Sequence, residues 1–121
     1  MTKDEILAMK PGRELDTLVA EKIFGLEYME CIGCYIDTNG NEQKIKRYSV
    51  EIAAAWEVVE KLKVKKLYPA FAIRDQTYNI SIWDKGGVEL ITDWVRCKTA
   101  PEAICKAALV AVSKVGDVDG L

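Results

Sequence analysis

The 121 residues include no histidine. Its absence removes Ser-His-Asp and Cys-His nucleophile systems, imidazole acid–base relays and every His-ligated metal site. Carboxylate, thiol, lysine and tyrosine are what remain for chemistry, and the chain is read as a non-enzyme. Long apolar runs are also missing. The longest, 103–105 and 107–112, are split by Lys106, whereas a membrane span needs about 20 apolar residues. The first residues, Met1-Thr2-Lys3-Asp4-Glu5, turn acidic at once and lack a signal-peptide core. The expected location is therefore cytoplasmic, with no membrane partner. The four cysteines are then expected as reduced thiols, not as a disulfide framework.

What is present is a balanced, compact-domain composition: 50% hydrophobic, 30% charged, net charge −2. The length suits one domain, since domains commonly run to about 100–150 residues. Charge is uneven along the chain. Residues 1–43 carry four basic and nine acidic groups, residues 44–74 eight and three, and residues 75–121 five and seven. The central basic segment holds Lys44, Lys46, Arg47, Lys61, Lys63, Lys65, Lys66 and Arg74. An acidic pI near 5.2 argues against duplex nucleic acid. A local basic patch still suits one small anion such as a nucleotide phosphate, although lysines on a solvated helix end are the preferred reading.

Thr2 and Glu5 form a capping box for a short helix to Met9, which Lys10-Pro11-Gly12 ends. A second helix is predicted over 13–24, with Leu15, Leu18, Val19 and Ile23 on one face and Gly25 as its left-handed cap. Residues 27–36 read as a strand, 37–41 as a turn and 43–47 as the returning arm. Ser49 is the expected N-cap of a helix to Leu62 that buries Ile52, Ala55, Trp56, Val59 and Leu62. Strands follow over 66–74, 77–83 and 88–97, joined by tight turns at 75–76 and 84–87, as an antiparallel meander. Phe71, Ile73, Tyr78, Ile80 and Ile82 mark one face; Arg74, Asn79, Ser81 and Trp83 mark the other. Thr99 and Glu102 open a final alanine-rich helix, and 116–121 read as a frayed polar tail. One α+β domain over 1–121 follows, an antiparallel sheet with helices against it.

Three segments together carry a family resemblance. They are Lys10-Pro11-Gly12-Arg13-Glu14-Leu15-Asp16 with Leu18-Val19-Ala20-Glu21-Lys22; Tyr48-Ser49 with Ile52-Ala53-Ala54-Ala55-Trp56-Glu57-Val58-Val59-Glu60-Lys61-Leu62; and Thr99-Ala100-Pro101-Glu102-Ala103-Ile104-Cys105-Lys106-Ala107-Ala108-Leu109. In this order the chain resembles the bacteriophage ABA-sandwich domain family, with Val50-Glu51 departing from the Thr-Asp pair expected after the serine. The resemblance implies an α-β-α sandwich, a helix-flanked sheet, and a phage or prophage origin, hence a bacterial host cytosol. It implies no activity.

Cys31-Ile32-Gly33-Cys34 is a C-x-x-C, and with Cys97 and Cys105 it offers a four-thiolate zinc alternative. The spacing of eight between the last two lacks a knuckle, and the pair at 31 and 34 lies in a strand-like run rather than opening a helix, so structural thiols without a cofactor are preferred. Asp75, Asp84, Glu89 and Asp93 are strand-end carboxylates of the kind solubility alone places there. The better candidate is the more polar strand face. Arg74, Asn79, Ser81 and Trp83 present a guanidinium, an amide, a hydroxyl and an indole, rimmed by Trp94, Tyr78, Tyr68, Lys65 and Lys66. Such groups stack a base or ribose and hold a phosphate; the competing reading buries both tryptophans under a helix or in a dimer. The expected function is a phage accessory, counter-defence protein that sequesters a nucleotide-type immune signal, ADP-ribose-derived or cyclic, as a homo-oligomer. The alternatives are a module that inhibits a host protein and a structural phage protein.

Overall fold

The computed structural model describes residues 2–84, 87 and 89–119, with side chains through Lys114 in the last helix. Thr2 caps α1 (Lys3–Ala8): its hydroxyl accepts from the Glu5 N–H and the Glu5 carboxylate accepts from the Thr2 N–H, both at 3.2 Å. Gly12 then starts α2 (Arg13–Lys22) from a φ of 148°, a backbone region open to glycine. Leu15, Val19 and Ile23 are buried as the spacing predicts, and Gly25 turns left-handed at φ 69°.

The run 27–36 is not one strand. β1 (Glu27–Met29) and β2 (Cys34–Ile36) are a hairpin, with Gly33 at φ 67° between them and its N–H bonded to the Met29 carbonyl at 2.8 Å. The C-x-x-C therefore spans the end of the turn, with Cys34 opening β2 opposite Met29. β3 (Glu42–Gln43) completes this small antiparallel sheet and is shorter than the predicted arm.

Ser49 does not cap α3 (Ile52–Val64); Glu51 holds that position without a side-chain bond. Ser49 is fully buried and has a tertiary role. Its hydroxyl donates to Asp16 Oδ1 at 2.6 Å and accepts from the Gly12 N–H at 2.8 Å, while its own N–H donates to the same Asp16 oxygen at 2.7 Å. The start of α2 is thus tied to the approach of α3. The buried stripe of α3 is Ala54, Ala55, Val58, Val59 and Leu62, whereas Ile52 and Trp56 face outward.

β4 (Tyr68–Arg74), β5 (Thr77–Trp83) and β6 (Leu90–Cys97) form an antiparallel meander in that order. The predicted start of β6 at Val88 and part of the turn, Lys85 and Gly86, lie outside the described residues. Ile80, Ile82 and Val95 face the core, but Phe71 and Ile73, on the same side, overhang it at the edge strand and stay exposed. Bulges in β6 turn Thr92 opposite Ile82, into the core, where its hydroxyl is buried without a partner among the described residues.

α4 (Ala100–Asp119) continues through most of the predicted tail; only Gly120 and Leu121 of that tail lie outside the described residues. Each residue from Ala103 to Ala111 is buried, so the helix is enclosed on all sides. It packs on β5 and β6 and is covered by α1, α2 and α3. Lys106 is buried within it, paired with Glu102 at 2.6 Å and donating to the Leu7 carbonyl at 2.9 Å. The fold is α+β, four helices with two open antiparallel sheets sharing one core. Among the described residues no helix is long and apolar enough to cross a membrane.

Candidate functional site

Helices cover one face of β4–β5–β6, and the opposite face is the one the sequence marks as polar. Direct cross-strand register aligns Ala72, Asn79 and Arg96 in one row across it. Asn79 is buried and works as a bracket. Its carbonyl accepts from Arg96 Nε at 3.1 Å, and its amide donates to the Ala72 carbonyl at 3.4 Å. Thr77 donates to the Arg74 carbonyl at 2.6 Å, fixing the backbone from which Arg74 projects. Ala72, Arg74, Asn79, Trp94 and Arg96 line a cavity of about 190 Å³. The small Ala72 leaves the floor open, and Trp94, half exposed, forms an apolar wall. Among the described residues neither guanidinium has a carboxylate within ion-pair distance. Two unpaired cations beside an indole can take an anion with a flat or sugar-like body.

Of the predicted residues, Arg74, Asn79 and Trp94 come together here. Ser81 and Trp83 share the face but bond each other, Trp83 Nε1 donating to Ser81 Oγ at 3.0 Å, and Ser81 is buried beneath. They form a rigid shelf outside the cavity. Tyr78 does not belong to the site: it pairs with Ile73 and Cys97 on the opposite, core-facing side. Lys65 and Lys66 are likewise elsewhere. They lie in the turn before β4, while the cavity lies at the far end of that strand, and Lys66 is held at φ 62°.

Arg96 is the residue sequence reasoning missed. Its signal was its spacing of two from Trp94, which puts both on one face of a strand. The cysteines fall into two places. Cys31 and Cys34 are at the β1–β2 turn, and Cys97 and Cys105 are buried near the start of α4. Burial pushes the Cys97 thiol up to about 11 and Cys105 further. Partial desolvation, then Glu42 and Cys31, raise Cys34 as well. These shifts favour the neutral thiol over the metal-binding thiolate. Among the described residues no three Cys, Asp or Glu side chains stand where they could hold a metal ion, so the four-thiolate zinc alternative gains no support.

The model of the phage ABA sandwich domain matches residues 17–109. Among solved structures, a phage protein from Bacillus cereus ATCC 14579 is similar at 36% identity, over 88% of this chain and 90% of that one, with a TM-score of 0.60. No curated protein matches. With the matching model spanning all of the main sheet and most of the helical core, the chain belongs to the phage ABA sandwich domain family.

Proposed function

We propose that this protein is a non-enzymatic phage accessory factor that captures a small phosphate-bearing, nucleotide-type signal of the host defence. The observation that carries this reading is the pair of unpaired guanidiniums, Arg74 and Arg96, beside Trp94 around one cavity. Among the described residues its lining holds no carboxylate, thiol or lysine, which suits retention of a ligand over its transformation. At about 190 Å³ the cavity is smaller than the roughly 300–1,000 Å³ of whole-ligand pockets. It therefore takes the phosphate or pyrophosphate end, with a ribose or base laid against Trp94. Membership in a phage family supports action inside an infected cell, where sequestering an ADP-ribose-derived or cyclic nucleotide signal needs affinity alone.

Thermal shift and calorimetry with ADP-ribose, cyclic ADP-ribose, cyclic dinucleotides and inorganic phosphate test this. At a hundredfold excess over Kd, a ligand stabilises the fold by about 2.7 kcal/mol. Arg96→Ala and Arg74→Ala are expected to weaken binding by roughly tenfold or more each. The melting temperature of the free protein is expected to change little for Arg74→Ala and to fall modestly for Arg96→Ala, which removes the donor to the Asn79 carbonyl. No stabilisation by any nucleotide overturns the reading. The host-protein alternative draws on a different observation, the exposed Trp94, Leu90 and Tyr68 on this same face. Capture of a host protein that Trp94→Ala abolishes, without nucleotide binding, would favour it.

A further inference from the structure

β4 is an outer strand of its sheet and pairs only with β5 among the described strands. A two-residue turn, Asp75-Gln76, joins them, so Arg74 and Thr77 are the hydrogen-bonded pair next to the turn. Ala72 and Ala70 then also point their N–H and C=O groups at β5, and Pro69, Phe71 and Ile73 point theirs outward. The missing donor of Pro69 falls on the outward set, where a strand proline costs no ladder bond. Among the described residues Phe71 and Ile73 are left with free donors and acceptors along an open edge.

The same edge is apolar. Phe71 is 48% exposed and Ile73 69%; Trp56 of α3, 49% exposed, stacks on Phe71 with ring centroids 6.1 Å apart. α3 and β4 run in opposite directions through a short turn, which carries Ile52, 56% exposed, toward Ile73. For side chains of this size, these fractions leave roughly 400 Å² of apolar surface in one patch. A standard interface buries about 800 Å² per partner, a little over half of it apolar. The patch therefore supplies most of the apolar share such an interface needs.

We propose that this edge pairs with the same edge of a second copy of the chain, antiparallel about a two-fold axis at Ala72, to make one six-stranded sheet. The ring of Pro69 occupies the place of a donor and excludes pairing along the Tyr68 half of the edge, which confines the ladder to residues 70–74. A two-fold at Ala72 sets Phe71 opposite the second copy's Ile73, twice, and each pair exchanges two backbone hydrogen bonds, four in all. Ala72 meets its own equivalent at the closely spaced, non-hydrogen-bonded position, where a small side chain fits. The two Arg74–Arg96 cavities then lie on one continuous sheet face, either side of the axis. The pairing holds whatever those cavities bind.

Sedimentation velocity on the full chain is expected to give twice the 13.5 kDa chain mass. Ile73→Lys, at an exposed position, is expected to give a monomer with an unchanged circular dichroism spectrum. In a Cys31→Ser, Cys34→Ser background, Ala72→Cys is expected to form an interchain disulfide under mild oxidation. Facing residues at such a pair stand about 4.5 Å apart at Cα, within the roughly 4.4–6.8 Å a disulfide spans. Trp94→Cys, on the open face, is expected to stay unlinked. A monomeric mass at about 100 μM would leave the edge to a strand from another protein and overturns the pairing. So does a dimer that survives Ile73→Lys, or cross-linking at Trp94→Cys in place of Ala72→Cys.

Discussion

Ser49 shows how one small side chain can do more than its local sequence suggests. Next to a helix it reads as an N-cap, yet it is fully buried and its three short hydrogen bonds run to residues more than 30 positions away, Gly12 and Asp16. The Asp16 carboxylate is itself buried and accepts both the hydroxyl and the N–H of Ser49. Removing one partner leaves the other desolvated and unpaired, which costs more than the bond contributed. Ser49→Ala is accordingly expected to lower stability by about 2 kcal/mol, read as a fall in the urea midpoint with an unchanged slope. Asp16→Ala is expected to cost at least as much. A local capping role predicts about 1 kcal/mol for the serine and almost nothing for the aspartate, so the aspartate value separates the two accounts. The same triangle gives two of the family motifs a physical reason: each supplies one side of it.

The β4–β5 hairpin is the element whose geometry and sequence disagree most. Both central residues of its turn have positive φ, Asp75 at 50° and Gln76 at 63°, as a type I′ turn requires. Aspartate tolerates that region, but glutamine gains nothing from it. Gln76→Gly is expected to stabilise the protein by about 0.5–1 kcal/mol, the relief of strain exceeding the added freedom of the unfolded chain. A thermal scan should show a rise of a few degrees; a fall would mean the side chain has a packing role. Elements with a single strong periodicity were legible from sequence, and 77–83 is recovered at both ends. Elements shaped by their neighbours were not. The α3 stripe was read from its largest apolar residues, but α4 packs close enough to select Ala54, Ala55 and Val58, which turns Ile52 and Trp56 outward. The run 27–36 has a strand-like composition, and only Gly33 at positive φ marks its turn. At the site, strand parity found Arg74, Asn79 and Trp94. It misplaced Tyr78, whose ring lies on the core side, and could not show that the lysines fall at the opposite strand end.

For the whole molecule, the lack of histidine becomes a statement about stability as well as catalysis. No side chain in this sequence has an ordinary ionisation between the carboxylate and thiol ranges, so little should change near neutral pH. The alkaline side differs because α4 is enclosed and brings titratable groups with it. Burial, then the charge of Glu102, holds Cys97 protonated up to about 11 against an ordinary 9.0, and burial raises Cys105 beyond that. Tyr48, stacked on Phe24 with centroids 5.0 Å apart, is raised by burial, then by Glu57, from 10.0 to about 12. In each case the folded state keeps its proton after the unfolded chain has released it. Above the unfolded values the unfolded state binds fewer protons, and stability falls as pH rises. Below them the contribution is fully present. The urea midpoint under reducing conditions is therefore expected to be flat from about pH 6 to 8, to decline from about pH 9, and to steepen above about 10 as Tyr48 joins. Replacing both buried thiols, Cys97→Ala with Cys105→Ala, should lower the plateau through lost packing and delay the onset of decline by about one pH unit, leaving the tyrosine part. A decline that begins at the same pH in that variant would show that the buried thiols do not set the alkaline limit.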